Sequence, residues 1–258
     1  MSKPLPRWRR NLLSFSAMIG FFLLWEVLCR LLGVSELVLP VPSQIAAVLI
    51  EKMPILWPHT QQTLMTTLVG FFLGVFIGLL IGVIIGSSRV AYDIAYPLLV
   101  GFSSIPKVAV VPIFVVWFGS GTIPAILTSM VIGIFPVVVN VATGLATTEP
   151  ELEDVLRVLG AKRWDVLMKI GLPRSMPYFY ASLKVAITLA FVGTTVSEMT
   201  AANEGIGYLL ISAGSAMQMG LAFAGLMVVG AMAMVMYELF SAIEKRTTGW
   251  AHRGSQGG

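Results

Sequence analysis

The run TQQTLMTTLVGFFLGVFIGLLIGVIIGSS, residues 60–88, contains no charged side chain in 29 positions. A helix needs about 20 apolar residues to cross the hydrocarbon core of a bilayer. A run of this length without a charge reads as one long membrane-spanning helix. A second uncharged run, 108–148, is too long for one helix. Gly119-Ser120-Gly121-Thr122 gives it a turn, and Pro124 suits the first turn of the next helix, where a missing N–H costs little.

Working outward from these runs, six spans are expected at 12–33, 62–86, 94–117, 122–146, 176–198 and 217–240. Composition agrees, with 57% hydrophobic residues, 12% charged and a mean hydropathy of +0.87. Soluble domains carry about 25% charged residues, so this chain faces a solvent other than water. The expected fold class is all-α, a polytopic membrane protein with six transmembrane helices. The domains read as a basic N-terminal segment 1–11, a transmembrane domain 12–245 and a tail 246–258. The stretch after Leu12 is too long for a signal peptide and no small-residue cleavage site follows it, so it reads as a retained first helix.

Lys and Arg set the orientation. With both termini cytoplasmic, the inner segments hold Lys3, Arg7, Arg9, Arg10, Arg89, Arg157, Lys162, Arg163, Lys169, Arg174, Lys245, Arg246 and Arg253, and the outer segments hold Lys52 alone. That is a strong positive-inside asymmetry. It accounts for the net charge of +4 without a nucleic-acid partner. On the outer side, Ser43 is expected to cap a surface helix over 44–53. The Gly-rich segment 199–216 is read as dipping back into the membrane.

The loop 147–175 is the one long charged connection, with five acids and five bases alternating in sign. Thr148-Glu149-Pro150-Glu151 is a capping box with proline in the first turn. A helix is expected from there to about Leu159. Gly160 ends it in the left-handed conformation. A second helix over about 162–171 then stops before Pro173. An apolar stripe of Val155, Leu156, Leu159, Trp164, Leu167 and Met168 on this loop needs a cover. The protein's own helix ends or a soluble partner would each supply one.

Ionisable groups inside spans are costly and functional by default. Glu26 and Arg30, four apart, are expected to pair. Glu238 reaches the interface near the inner end of the last helix. Lys107 follows Pro106 in a span also interrupted by Pro112. It reads either as an attractor for an anionic solute or as a lysine that snorkels or pairs with an acid such as Glu198. Lys184 and Glu198, fourteen apart, fall on a similar face of the fifth span, turned toward protein. The pathway candidates are therefore Lys107, Lys184 and Glu198. Cys29 reads as packing, and His59 and His252 lack metal-ligand spacing.

The pattern Asp154-Val155-Leu156-x3-Gly160-x9-Ile170-x-Leu172-Pro173 resembles the Glu-Ala-Ala-x3-Gly-x9-Ile-x-Leu-Pro loop of binding-protein-dependent ABC importer permeases. Asp154 replaces Glu, and Val155-Leu156 replace two alanines. Leu39-Pro40-x-Pro42-Ser43, Ile105-Pro106-Lys107 leading to Pro112 and Trp117-Phe118-Gly119, and Glu198 with Asn203-x-Gly205-Ile206-Gly207-Tyr208 are similar to the aliphatic sulfonate, taurine, nitrate and bicarbonate branch. The resemblance covers about 37–245.

It implies a type I importer fold in the bacterial cytoplasmic membrane and a homodimer of this chain forming the pathway. Two cytoplasmic ABC ATPases would dock on the 147–175 loop, and a substrate-binding protein would sit outside. Coupling residues would be Asp154, Val155, Leu156, Gly160, Trp164, Ile170, Leu172 and Pro173. No cofactor is expected in this chain. ATP and Mg would be bound by the partner, because no Gly-x4-Gly-Lys-Ser/Thr loop occurs here. The implied cargo is a small anion such as a sulfonate, nitrate or bicarbonate. A thiamine precursor or riboflavin permease is the alternative within the branch. Outside it, an ATP-independent transporter or channel would not need the capped loop and often shows an inverted repeat. A membrane enzyme would need a constellation of acids, His, Ser or metal ligands at one depth, and none occurs. A non-transporting scaffold would not need ionisable residues inside the bilayer.

Overall fold

The computed structural model describes residues 7–147 and 158–248. The regular elements among them are helical: α1 Arg7–Leu31, α2 Pro42–Glu51, α3 Met53–Gly86, α4 Arg89–Ser103, α5 Val111–Phe118, α6 Thr122–Ala146, α7 Leu172–Ala201, α8 Ile206–Ser215 and α9 Met219–Thr247. Five helices are long and apolar enough to cross a membrane, and the bent pair around α4 and α5 makes a sixth.

The direction of packing supports counting that pair as one crossing. Gly70 of α3 lies against Ile126 and Ser129 of α6, Gly78 against Ile134 and Val137, and Gly86 against Ala142 and Leu145. Residue numbers rise together along both helices, so α3 and α6 run parallel. A parallel pair separated by one connection requires that connection to return across the membrane. α6 and α7 are antiparallel, since Gly144 meets Ser175 and Tyr178 while Gly193 meets Thr128 and Ile132.

The α3–α6 contact is built on a four-residue glycine period: Gly70, Gly74, Gly78, Gly82 and Gly86, all buried. Four-residue spacing keeps one helix face aligned. A methyl group on Gly74 would lie 2.8 Å from the Met130 carbonyl oxygen, and one on Gly82 2.8 Å from Val141 Cβ. Lipid tails are as apolar as leucine, so helices in a bilayer gain by close backbone approach rather than by hiding apolar area. The main core joins this contact to α7 and α9 through Phe71, Val137, Val141, Leu183, Ile187, Phe191 and Phe240. A second cluster, Ile45, Leu56, Ile206, Leu209 and Leu221, ties α2 and α8 to one end of the bundle.

Several expectations need correction. The span over 94–117 is not one helix: α4 and the Lys107–Phe118 segment meet at 76°. The break falls at Ser104–Pro106, because residues before proline avoid the helical region. Pro112 interrupts nothing; it sits in the first turn of α5. Ser43 does not cap α2. The helix begins at Pro42, and the Gln44 side chain accepts the Val41 N–H at 3.2 Å instead.

The helix after Gly160 does not stop before Pro173. A four-residue helical stretch, Arg163–Val166, passes through a π turn, Leu167–Gly171, into α7. Proline normally clashes with the carbonyl four residues earlier. Here the turn before Pro173 is the wider π form, with the Leu172 N–H reaching the Leu167 carbonyl, and the helix continues through the proline.

Candidate functional site

The coupling candidates fall into two groups. Asp154, Val155 and Leu156, together with the 148–151 capping box, lie outside the described residues. The rest are described. Gly160 has φ +85°, the left-handed conformation expected of it. Asp165, in the first turn after it, reaches back to accept the Lys162 N–H at 3.1 Å.

The following helix is two-sided. Val166 and Gly171 are buried, and Leu167 and Leu172 pack on the main core. Leu167 is therefore not part of the uncovered stripe. Leu159, Trp164 and Met168 stay exposed, Trp164 by 67%. Ile170 is half-buried and Pro173 exposed. The segment is thus rooted in the bundle through Leu167, Gly171 and Leu172, with Gly171 facing Leu145 at the end of α6. Its outer face presents a large aromatic that none of the described residues covers.

Lys107 opens a 3-10 turn, Lys107–Val110, just past the break. Its Nζ donates to the Ser103 carbonyl at 3.0 Å and lies 4.6 Å from the centre of the Phe135 ring. It lines a cavity of about 500 Å³ with Ser103, Phe135, Asn140, Val185 and Leu189 among the walls. Asn140 donates one amide hydrogen to the Pro136 carbonyl at 2.8 Å. Lys107 does not pair with Glu198.

The three pathway candidates are not brought together. Lys184 forms an ion pair with Glu244 of α9 at 2.6 Å, both half-buried or deeper, with the Tyr237 ring 5.9 Å from its Nζ. Glu198, only 2% exposed, faces α3 and the α7–α8 connection. Its carboxylate accepts the Thr63 hydroxyl at 2.8 Å and the Gly207 N–H at 3.0 Å. Both residues turn toward protein, as expected, yet toward different elements. Glu26 and Arg30 do pair, with Arg30 Nε donating at 2.7 Å. Glu26 also accepts the Ser43 hydroxyl at 2.7 Å and the Ser43 N–H at 3.0 Å, which clasps α1 to α2. Glu238 is exposed.

Residues that sequence reasoning passed over hold the Glu198 region in place. Thr63 accepts the Ile206 N–H at 2.7 Å while donating to Glu198, and His59 Nδ1 accepts the Gly205 N–H at 3.1 Å. Gly205 has φ +101°, and a side chain there would strike the Glu198 carboxylate. A polar cavity of about 290 Å³ adjoins, lined by Gln62, Thr66, Thr122, Asn203 and Glu204. Thr63 and His59 are four apart, a spacing that puts both on one helix face. That spacing was the available signal.

Three relatives and one solved structure set this geometry in context. A family model for the binding-protein-dependent transport system inner membrane component matches residues 70–249. A probable ABC transporter permease protein of Haemophilus influenzae is 31% identical over 228 residues, covering 88% of this chain and 93% of the relative. The riboflavin transport system permease protein RibX of Chloroflexus aurantiacus is 32% identical over 228 residues, covering 88% of this chain and 85% of the relative. The putative aliphatic sulfonates transport permease protein SsuC of Bacillus subtilis is 28% identical over 245 residues, covering 94% and 88%. Among solved structures, a chain of the MetNI methionine ABC transporter in an inward-facing conformation aligns with a TM-score of 0.68. It covers 76% of this chain and 98% of that one at 19% identity, a likeness of fold.

Proposed function

The chain belongs to the inner-membrane components of binding-protein-dependent transport systems, and from that membership we propose how it works and on what. It is an integral inner-membrane permease subunit of an ABC importer for a small solute. In the proposed assembly two copies form the pathway, two ABC ATPases carrying ATP and Mg dock on the 147–175 segment, and a binding protein delivers the solute from outside. Both termini face the cytoplasm, on the strength of the basic-residue asymmetry.

The observation that carries the docking reading is the two-sidedness around Gly160. Trp164 and Met168 are exposed on a helix whose other side, Leu167 and Leu172, is packed on the transmembrane core, and Leu159 is exposed in the turn just before Gly160. A partner that grips the exposed face can move the core through the packed one. Asp154, Val155 and Leu156 would complete the gripped surface, and Gly160, Ile170 and Pro173 would set its angle to the bundle. The energy source must lie in the partner, because this chain has no phosphate-binding loop of the Walker type.

The proposed cargo is an anion. Lys107 has no carboxylate partner among the described residues and lines a cavity of about 500 Å³. An uncompensated cation at membrane depth is expensive unless it serves a ligand or pathway. Lys184, paired with Glu244, and Glu198, beside the polar cavity at Gln62, lie outside the lining of that site. A neutral cargo such as riboflavin is the alternative, favoured by the 32% identity to a riboflavin permease.

The reading is tested by reconstituting the full complex in liposomes and following uptake with ATP or with a proton gradient alone. Uptake that requires ATP and the binding protein supports it, and gradient-driven uptake by the permease alone contradicts it. Orientation is tested by Ser120→Cys and Val158→Cys in a Cys29→Ala background. A membrane-impermeant thiol reagent should label the first from outside and the second only from inside.

A further inference from the structure

We propose that His59 makes the seating of α8 on α3 releasable by acid: a proton on its ring removes the acceptor that holds the Gly205 N–H. On the orientation proposed above this end of the bundle faces outside, so the acidity it senses is external. The latch itself does not depend on that orientation.

α8 begins without a cap of its own. Gly205 occupies the N-cap position with φ +101° and has no side chain to offer. The first four N–H groups of a helix find no partner within it. At α8, three of them are accepted by side chains of other helices. His59 Nδ1 of α3 accepts the Gly205 N–H at 3.1 Å, and the Thr63 hydroxyl, also of α3, accepts the Ile206 N–H at 2.7 Å. The Glu198 carboxylate of α7 accepts the Gly207 N–H at 3.0 Å. The start of α8 is therefore tied to α3 and α7 through one imidazole, one hydroxyl and one carboxylate.

A proton affects these three acceptors differently. The Thr63 hydroxyl does not titrate. A carboxylate that gains a proton keeps a carbonyl oxygen, so Glu198 can go on accepting from Gly207. An imidazole has one acceptor nitrogen when neutral and none when charged. Since Nδ1 accepts here, the neutral ring carries its hydrogen on Nε2. Protonation would set two N–H donors against each other at 3.1 Å. Histidine is the side chain whose charge ordinarily changes between about pH 5 and pH 8. The His59 ring is only half-buried, so solvent protons reach it.

The groups facing the ring come from each neighbouring element. Glu204, in the α7–α8 connection, lies within electrostatic reach of it. Tyr208 of α8 has its ring centre 5.9 Å away, and Glu198 of α7 is linked through Thr63. Glu51 and Lys52, before α3, pair with each other at 2.7 Å. The connection also carries Asn203 and Glu204, two walls of the polar cavity of about 290 Å³. Release of Gly205 thus unseats one side of that cavity.

The test follows amide hydrogen exchange of the full chain in lipid nanodiscs at about pH 8 and about pH 5, each corrected for the intrinsic exchange rate. Protection at Gly205–Gly207 should fall at least about tenfold at the lower pH, while α3 from Gly74 to Gly82 stays unchanged. His59→Asn places a non-titrating oxygen where Nδ1 lies and should keep the protection at both pH values. His59→Phe keeps an aromatic ring against Tyr208 without an acceptor and should show the low protection at both.

Equal protection of the parent at both pH values would overturn the proposal. A pH-dependent loss that persists in His59→Asn would also overturn it, because another group would then be titrating. Labelling of Ser120→Cys from the inside alone would overturn the external placement, and the exchange results would still decide the latch.

Discussion

The α3–α6 contact and the attachment of α1 join helices of similar apolar character by opposite means. Along α3, five glycines four apart let its backbone approach α6 so closely that a single added methyl group has no room. α1 has almost all of its apolar side chains exposed, and Gly20 in its middle has nothing within 4 Å. Its hold on the rest comes from one end, where Glu26 and Arg30 meet Ser43 and Trp25 meets Phe223 at 6.3 Å. In a bilayer, apolar surface alone does not decide which helices meet. Small residues in register build the core, and a polar clasp near a helix end holds the periphery.

The largest effect is expected where that contrast is sharpest. Gly74→Leu should destabilise the bundle by about 3 kcal/mol or more, because α6 backbone rather than a flexible side chain blocks it. Gly20→Leu should be nearly silent. Thermal inactivation in mild detergent measures both. Equal losses would erase the distinction between core and peripheral helices.

Next is the polar anchor inside the core. Glu198→Ala removes the acceptor of the Gly207 N–H and of the Thr63 hydroxyl, leaving buried donors unpaired. A cost of about 2 kcal/mol is expected, with faster hydrogen exchange at Gly205–Gly207. Thr63→Val should produce the same local exchange pattern, since Thr63 also accepts the Ile206 N–H. If exchange rose evenly over the whole bundle, Glu198 would not be a local anchor.

Trp164→Ala should leave the fold unchanged, because the ring is exposed. It should weaken ATPase docking by roughly 2 kcal/mol, typical of an aromatic hot spot. Co-purification with the ATPase measures the docking, and thermal inactivation of the isolated permease measures the fold. A loss of fold stability would mean the ring is part of the core.

The smallest effect is expected at the clasp. Glu26→Gln removes the charge that accepts from Arg30 and Ser43. It should leave the α3–α6–α7 core intact and raise proteolysis of the α1–α2 connection. Global destabilisation equal to that of Gly74→Leu would show that α1 is not peripheral.

Much of this architecture is legible in the sequence because charge-free runs have few meanings. The runs 60–88 and 108–148 mark spans, and 122–146 coincides with α6. The resemblance around Gly160 and Pro173 marks the segment proposed to couple. Hydropathy cannot show a bend, so the 76° break in the third span stays hidden. The partners of buried charges are hidden too. Lys184 meets Glu244, sixty residues away, and Glu198 meets Thr63, 135 residues away. Such pairings depend on helix order and rotation. The glycine period of α3 is visible as a spacing; its partner helix is not.

The central claim is that ATP hydrolysis in a partner drives solute movement through the segment around Gly160. The most direct test measures hydrolysis and uptake together in proteoliposomes carrying the complete complex with Gly160→Val. A β-branched residue resists the left-handed backbone at φ +85°, so the turn that leads into the Trp164 helix should be lost. The account predicts that the complex still hydrolyses ATP while uptake per ATP falls at least about tenfold. Parent-like uptake per ATP in Gly160→Val would contradict it.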